Sequence, residues 1–586
     1  MKIKRKIRYW LLTLSLLLLI ISSLSFLSPT IFVEEDQIAR PAPINEDFLE
    51  YLKEPTSERW RKYSETGYAF GLRPSPLDFS YFKGFPVVKV QNLPGTYDLR
   101  TEGKLTPVKN QGSCGSCWAF ASYGSLESFL MPSESRDFSE QNLIERHGFD
   151  WEPCEGGTID ISTAYLARWS GPVNEKDDPY VFSNLDGFKT RKHVQEVVYI
   201  PRRSNSSDND LLKQAVMTYG AVYASMYYSN YCYNATYRSY YNTSREEGAH
   251  AVAIIGWDDN FDKNKFNTIP PGNGAFIVRN SWGKKWGENG YFYVSYYDNY
   301  FAKKGISAVI TAEPPTCYSV IYQYDKLGWT WSLGYGSDTA WFANIFTATS
   351  NYPLLAVSFY AAASLNEYEI YVYKNVKDGQ PRSDKLARKQ TGSLDSPGYF
   401  TVPLKVGVSL VPGQKFSVVV KLKTKNYNYP LPVEYPHKRY SSRARANAGE
   451  SFVSNNGNTW NDIHTSWDGR FANTNVCLKA FAGLPPVYPP KNFMLQRLEN
   501  NYIFFIEYIN KLSWEANPDN RTEINAYRLY RKIKGGSDES YELVDELNAN
   551  IFTYDHRGLK KDELYSYRIT SVDEYDRESE PTEVSN

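Results

Sequence analysis

The most reactive side chains of this 586-residue chain lie in one short stretch, where Cys114 and Cys117 stand three residues apart. Cys117 begins a helical pattern of apolar residues, which predicts a helix with this cysteine at its N-terminus. A thiolate in that place is stabilised by free N–H groups and by the positive end of the helix dipole. Gln111, just upstream, carries an amide that could donate a hydrogen bond to an oxyanion. The stretch therefore predicts Cys117 as a nucleophile.

A candidate base, His250, stands at the head of a continuous apolar run at residues 251–257, which predicts a buried strand. A lone histidine beside a buried strand is more often structural than catalytic, but this chain has only 6 histidines. A second predicted strand, residues 275–279, leads into Asn280. One helix and two strands would have to bring these side chains to Cys117.

Several separated motifs occur in the order found in papain-family cysteine peptidases, which residues 93–312 resemble. In chain order they are residues 114–118, 139–141, 154–157, 250–257 and 280–283. The first matches the pattern C-G-[SA]-C-[WY], and His250 follows Cys117 by 133 residues, within the roughly 130–150 of that signature. The resemblance implies an α+β, two-lobed domain.

The same resemblance assigns a role to each side chain. Cys117 is the nucleophile, His250 the general base and acid, and Asn280 the residue that orients His250. Gln111, with the backbone N–H of Cys117, would form the oxyanion hole, and Trp282 would shield the Asn280–His250 contact from water. A Cys–His ion pair can lower the thiol pKa to roughly 3–4, which predicts a thiolate at neutral pH. This chemistry calls for no cofactor and no metal.

Substrate contacts are expected from Gly156, Gly157, Ala251 and Trp282. Two adjacent glycines let a backbone approach closely, so this stretch could pair with an extended peptide; a tight turn is the plainer interpretation. Ala249 precedes the histidine where many family members carry Asp or Asn.

The family pattern also implies a Cys114–Cys154 disulfide, which closes a loop of about forty residues and would contribute roughly 3–4 kcal/mol in the entropic model. Cys317 and Cys477 lie near the two ends of the middle β region and could form a second bond. That pairing leaves Cys232 as the odd thiol.

Two further stretches keep alternatives open. Eight tyrosines lie between residues 222 and 241, and they could form an aromatic wall of the substrate cleft or an insert that only packs. Residues 258–264 alternate oxygen-bearing side chains as a calcium loop does, yet they lack the glycine and glutamate of an EF-hand, so a solvated hairpin loop is favoured.

Residues 1–33 carry five basic residues before an apolar run at 10–27, which predicts an export signal. The run is about as long as the shortest membrane spans, so cleavage near residues 23–25 and an uncleaved anchor both remain open. Residues 34–92 are polar, resemble a helix only at 46–63, and are interpreted as a propeptide or a spacer.

Beyond residue 312 the pattern changes to strands. Residues 313–484 predict a β-sandwich similar to the lectin-like domains of some prokaryotic surface peptidases. After a proline-rich linker, residues 485–586 resemble a fibronectin type III module with Trp514 in its core. The predicted fold class is therefore multidomain: an α+β papain-like domain followed by two all-β sandwich domains.

Charge argues against nucleic acid as a partner, because Lys+Arg and Asp+Glu both total 66. The expected function is an exported, secreted or cell-surface cysteine peptidase acting on proteins or peptides, with β domains that attach to surface polysaccharide or protein. Membrane anchoring is expected only through residues 10–27. An endopeptidase is favoured, since no insertion that would block one end of the cleft is visible. The alternatives are a non-catalytic adhesin and a transpeptidase that uses the same acyl-enzyme.

Overall fold

The computed structural model describes residues 38–54, 67–82, 92–181, 187–244, 248–315, 317–484, 487–520, 522–537, 540–574 and 576–585. The expected export signal lies outside these residues, as do parts of the 34–92 segment and of the proline-rich linker. Among the helices of the described residues, none combines the length and the apolar character that a membrane span requires.

The helices of the described residues lie almost entirely in the N-terminal half of the chain. The α-helices are Glu46–Lys53, Cys117–Leu130, Glu140–Arg146, Ile159–Ala167 and Asp210–Tyr219; the 3-10 helices are Asn230–Cys232, Lys263–Lys265 and Trp467–Gly469. Ser139 begins one of them as predicted, because its hydroxyl accepts the N–H of Asn142 at 2.9 Å. The helix Cys117–Leu130 buries all but one of its 14 residues and packs against the strands behind it, so it forms the centre of this region.

The strands of this region form the first part of a 13-stranded sheet. They are Thr96–Asp98, His193–Ile200, Val222–Tyr228, Tyr233–Asn234, Ser239–Tyr240, Gly248–Asp258, Ala275–Arg279, Tyr291–Ser295 and Ser307–Glu313. The predicted strand after His250 exists and pairs antiparallel with Val222–Tyr228, with His250 opposite Met226. Asn280 directly follows Ala275–Arg279, which pairs with the other edge of the histidine strand.

The same sheet continues into the β region beyond residue 312. Gly398–Val408 pairs antiparallel with His193–Ile200, so that Tyr399 lies opposite Val197. The sheet then runs through Leu354–Ala361, Leu478–Ala482 and Val320–Tyr322. The helical region and the β region are therefore joined by backbone hydrogen bonds as well as by a covalent connection.

A six-stranded sheet covers this extension and completes a sandwich. Its strands are Thr339–Thr347, Asn366–Lys374, Lys385–Leu394, Lys415–Thr424, Ser451–Ser454 and Asn461–Asp462. Alternate residues such as Ile370 and Val418 meet Val357 and Phe359 of the first sheet in one buried core. A separate four-stranded sheet consists of Arg40–Pro41, Trp331–Gly334, Leu431–Glu434 and Asn475–Val476.

The C-terminal module is a second sandwich with its own core. One sheet holds Lys491–Asn501, Ile506–Glu515 and Thr553–Leu559; the other holds Ile524–Ile533, Glu542–Asn548, Tyr565–Asp573 and Thr582–Ser585. Trp514 is buried between them with Tyr527 and Tyr567. The predicted class, an α+β region followed by all-β sandwiches, is confirmed.

Candidate active site

Cys117, His250 and Asn280 come together at the junction of the central helix and the sheet. The N–H of Ala251 lies 3.4 Å from Sγ of Cys117, which places the histidine strand against the helix N-terminus. His250 Nε2 donates to Oδ1 of Asn280 at 2.8 Å, because an amide oxygen can only accept. Nδ1 therefore carries the free lone pair, and it is buried without a hydrogen-bond partner in the described part of the chain. It is the ring nitrogen left to take a proton from Cys117.

Trp282 covers the Asn280–His250 contact. Its side chain is buried, and its ring centroid lies 4.9 Å from that of His250. The ring of Tyr68 also stacks on Trp282, at 5.1 Å and 5°. This packing keeps water from the hydrogen bond that orients the imidazole.

The side-chain amide of Gln111 is held by hydrogen bonds at both of its ends. Its Nε2 donates to the carbonyl oxygen of Cys114 at 2.8 Å and to that of Ala69 at 3.0 Å. Ser281 fixes the other end of the amide, since its Oγ donates to Oε1 of Gln111 at 2.6 Å. Sequence reasoning assigned no role to Ser281, although it lies inside the Asn280 motif.

Residues 67–82, here called the cleft segment, lie across this site. Gly157 donates to the carbonyl oxygen of Gly71 at 2.9 Å and accepts the N–H of Arg73 at 3.0 Å. The N–H of Leu72 donates to the carbonyl oxygen of Ala249 at 3.2 Å. An extended stretch of the chain itself therefore occupies the position beside Gly157 where a peptide was expected.

The approach of the cleft segment depends on glycines on both sides. A Cβ on Gly71 would lie 2.0 Å from the carbonyl oxygen of Gly115, and one on Gly157 would lie 2.3 Å from the ring of Trp118. The adjacent Gly156 has φ +126°, which L side chains rarely adopt. These contacts explain why the stretch at 154–157 needs two glycines.

Burial controls the protonation of the Cys117–His250 pair in this closed arrangement. Desolvation raises the pKa of Cys117 above its ordinary value, against the lowering effect of the N–H groups of Ala251 and Gly71. Desolvation also lowers the pKa of His250 to about 4, against the hydrogen bond to Asn280. Both shifts oppose an ion pair of Cys117 and His250 while the two side chains are buried, so the thiolate at neutral pH stays a prediction for the open cleft.

Cys114 and Cys154 form the disulfide that the resemblance implied, with a sequence separation of 40. The suggested bond between Cys317 and Cys477 is absent, since both are thiols. Val320, three residues after Cys317, pairs with Ala482 in an antiparallel strand. Cys477 directly precedes that strand, Leu478–Ala482, and therefore lies roughly 15 Å along the sheet from the end near Cys317. A disulfide needs Cα atoms within about 7 Å.

The tyrosine-rich stretch is mainly a packing element. Tyr228 contacts the ring of Trp282 at 4.9 Å, and Tyr233 stacks on Trp286 at 5.1 Å. Tyr231 is exposed at its outer edge. The stretch therefore packs against Trp282 and its neighbour Trp286.

The loop at 258–264 uses its oxygen atoms in protein contacts. Asp259 pairs with Lys213 at 2.5 Å, and the side chain of Asp262 accepts the N–H of Asn264 at 2.9 Å. No group of three or more side chains suited to hold a metal ion occurs in the ranges that the structure describes.

The region that contains these residues is similar in sequence to known proteins. A sequence profile of papain family cysteine proteases matches residues 93–312. A cysteine protease of Blomia tropicalis is 32% identical over 253 residues, covering 39% of this chain and 71% of that protein. This chain belongs to the papain family of cysteine peptidases. A profile of a lectin-like domain matches residues 321–482, so this papain-family chain carries the lectin-like region that its sequence predicted.

Two other matches show how far the likeness to papain-family proteins extends. Rat procathepsin L is 33% identical over 216 residues; these cover 35% of this chain and 60% of procathepsin L, so the chain spans about three fifths of that relative. The cysteine protease and lectin-like domains of Cwp84, a surface layer associated protein of Clostridium difficile, superpose with a TM-score of 0.63 at 28% identity. That superposition covers 76% of this chain and 98% of the Cwp84 chain, and thus includes both regions.

Proposed function

We propose that this chain is an exported cysteine peptidase that hydrolyses peptide bonds through Cys117 and His250. The observation that carries the proposal is the hydrogen bond from Nε2 of His250 to Asn280, which leaves Nδ1 as a base beside the thiol. In the open cleft, Nδ1 would take the Sγ proton as the sulfur attacks the carbonyl carbon of the substrate.

The oxyanion formed in that step would be held by Nε2 of Gln111 and the backbone N–H of Cys117. The imidazolium of His250 then gives its proton to the leaving amine, and the acyl group stays on sulfur as a thioester. A water molecule that loses its proton to Nδ1 hydrolyses the thioester and restores the thiol. His250 takes and returns one proton in the acylation step and again in the hydrolysis step, so the enzyme ends the cycle in its starting protonation state.

The cleft segment acts, in this proposal, as a propeptide that must leave before substrate can bind. Three contacts support it: Ala69 on Gln111, Gly71 on Gly157, and Tyr68 on Trp282. A spacer, the other interpretation of residues 34–92, would have no reason to fill the oxyanion position. Procathepsin L is a pro-form by name, and a second Cwp84 structure was determined after propeptide cleavage, at 28% identity and a TM-score of 0.58.

Secretion or display at the cell surface, with attachment through the β regions, completes the proposal. The predicted export signal supports it, and so does the similarity to Cwp84, which is described as surface layer associated. Surface polysaccharide or protein is the proposed ligand of the lectin-like region. The C-terminal sandwich has seven strands in sheets of four and three, which supports the fibronectin type III assignment.

The test is cleavage of a peptide library under mild reduction, together with a thiol-reactive affinity probe, by the chain from which limited proteolysis has removed the cleft segment. The parent should cut peptides and be labelled at Cys117, whereas Cys117→Ala should lose both activities and Cys232→Ala should keep both. Binding without cleavage would favour the adhesin alternative. Products that carry an added amine in place of water would favour the transpeptidase.

A further inference from the structure

A β-hairpin of the C-terminal module ends in an exposed apolar turn, residues 502–506, here called the hairpin tip. It joins the strands Lys491–Asn501 and Ile506–Glu515. Ile503 is 92% exposed and Phe504 94%, and the other three residues, Tyr502, Phe505 and Ile506, are 51%, 61% and 47% exposed. Five consecutive large apolar side chains at this exposure occur in a module that has its own buried core.

The local turn chemistry does not explain these residues. The N–H of Tyr502 donates to the carbonyl oxygen of Phe505 at 2.9 Å, so Ile503 and Phe504 are the two central residues of a tight turn. Neither residue has a positive φ, so the backbone of this turn requires no Gly or Asn, but it requires no large apolar side chain either. An isoleucine and a phenylalanine there contribute nothing to folding that the structure shows, which indicates a role outside the fold.

The hairpin tip is also shaped as a rigid projection. The rings of Tyr502 and Phe505 stack at 4.7 Å and 23°, forming a firm base below the two central side chains. The strand that leads to it has 11 residues and starts at the linker, so the tip lies about 35 Å from the point where the module joins the rest of the chain.

The charges around the hairpin tip are balanced. Glu507 lies 3.5 Å from Arg557, and the exposed Lys560 lies 3.6 Å from Glu563. Among the described residues, these ion pairs next to the hairpin tip join opposite charges and leave no excess of one sign between them. Recognition at this place must therefore come from burial of the apolar and aromatic groups themselves.

We propose that the hairpin tip inserts into the interfacial layer of a lipid bilayer. Aromatic and aliphatic side chains on an exposed loop suit the boundary between headgroups and acyl chains, where a tyrosine can keep its hydroxyl in water. The export signal proposed at residues 1–33, with its apolar run at 10–27, would bring the chain to a membrane, and to this extent the inference rests on the proposed function.

A folded protein is a poorer fit for the hairpin tip. Stable protein interfaces bury about 800 Å² on each partner over roughly 20–30 residues, on surfaces of matching shape. Five side chains on a narrow convex turn would need a matching deep pocket, whereas a bilayer adapts to any projecting shape. The lipid interface is therefore the occupant that the shape and the neutral surroundings favour.

The test uses the full chain with phosphatidylcholine vesicles that contain a photoactivatable acyl chain. After illumination, lipid adducts are mapped by mass spectrometry, so that insertion by residues 502–506 is read separately from binding by residues 10–27. We expect adducts on the hairpin tip, with a yield that changes little from about 0.1 to 1 M salt, where the Debye length falls from about 10 to 3 Å.

The double variant Ile503→Asn, Phe504→Gly should lower the adduct yield at residues 502–506 at least about tenfold. It should fold as the parent does, because Ile503 and Phe504 are 92% and 94% exposed and lie outside the buried core of the module. Val411→Asn is the matched control, since Val411 is 62% exposed in the turn of another region, and its adduct pattern should equal that of the parent.

Two results would overturn the proposal. One is adduct formation on residues 10–27 with none on the hairpin tip. The other is self-association of the parent without vesicles, measured by sedimentation velocity and lost in the double variant, which would make a second copy of the chain the occupant.

Discussion

The carbonyl oxygen of Ala69 accepts a 3.0 Å hydrogen bond from Nε2 of Gln111, the donor proposed for the substrate oxyanion. The same segment is paired with Gly157 and covers Trp282. The closed chain thus fills the oxyanion position, the backbone-pairing position and the aromatic face at once. Activity should depend on how readily this one segment leaves.

Gly71→Ala should open the cleft without cutting the chain. The added Cβ would lie 2.0 Å from the carbonyl oxygen of Gly115, a backbone atom that cannot turn aside. Overpacking of this kind costs about 1–3 kcal/mol, so the open fraction should rise roughly 5- to 150-fold. The measurement is the initial rate of peptide cleavage by the uncut variant. Gly95→Ala, where a Cβ meets nothing within 4 Å, is the control and should leave the rate unchanged. An unchanged rate in Gly71→Ala would show that the cleft segment is not the barrier.

The alkylation of Cys117 should shift with pH when the cleft opens. In the closed chain, burial raises the pKa of this thiol above its ordinary value of 9.0 and lowers that of His250 to about 4. Iodoacetamide labelling should therefore be slow at neutral pH and accelerate only above the ordinary thiol pKa.

In Gly71→Ala, water returns to the pair, a protonated His250 can stabilise the thiolate, and the labelling curve should move to lower pH. Mass spectrometry resolves the sites, and the buried Cys477 is the internal control. Identical pH curves for the parent and Gly71→Ala would contradict the role given to burial.

The sequence predicts the reactive side chains better than it predicts what covers them. Cys117, His250 and Asn280 stand in motifs whose residue types are required by the chemistry, so each residue can be predicted from its own motif. The cleft segment has no periodic pattern, and its hold on Gly157 uses backbone groups that every residue has. Its position could not be derived from composition, and the choice between propeptide and spacer stayed open.

The sequence also did not predict that the peptidase region and the lectin-like region share one sheet. Tyr399 pairs with Val197 across about 200 residues of chain, and each strand alone reads as an ordinary strand of its own region. The suggested Cys317–Cys477 bond failed because the register of two strands, invisible in the sequence, decides which ends meet. Strand existence follows from local pattern, whereas strand partners follow from tertiary packing.

Gln111→Ala should reduce kcat by about 10²–10³ with little change in KM, because it removes a donor that acts on the developing oxyanion. Ser281→Ala should have the same sign and a smaller size, since Ser281 acts by orienting Oε1 of Gln111 at 2.6 Å. Gln390→Ala removes an exposed amide that binds Pro403 in the lectin-like region, and it should leave both constants unchanged. If Gln111→Ala raised KM and left kcat unchanged, that result would argue against the oxyanion role.

The buried pair Lys479–Asp325 should be the most sensitive electrostatic contact of the lectin-like region. Nζ of Lys479 lies 2.6 Å from Oδ2 of Asp325, and the two side chains are 2% and 0% exposed. Lys479→Met leaves a buried carboxylate without its counter-ion and should cost about 3–5 kcal/mol in urea unfolding followed by tryptophan fluorescence. The double variant with Asp325→Leu should recover most of that loss, because no buried charge remains. The exposed pair Lys491–Asp519 is the control, and Lys491→Met should change stability by less than about 1 kcal/mol.

The pH dependence of Lys479→Met gives an independent check on that pair. Burial raises the pKa of Asp325 in the folded chain even with Lys479 present, and removing the cation must raise it further. A folded pKa above the unfolded one means that stability is fully present below the unfolded pKa and is lost as pH rises through the folded pKa. The loss caused by Lys479→Met should therefore shrink as the pH is lowered toward the ordinary range of a carboxyl group. In the double variant with Asp325→Leu that pH dependence should vanish, because the titrating group itself is gone; a loss that stays constant with pH in the single variant would assign it to packing instead of charge.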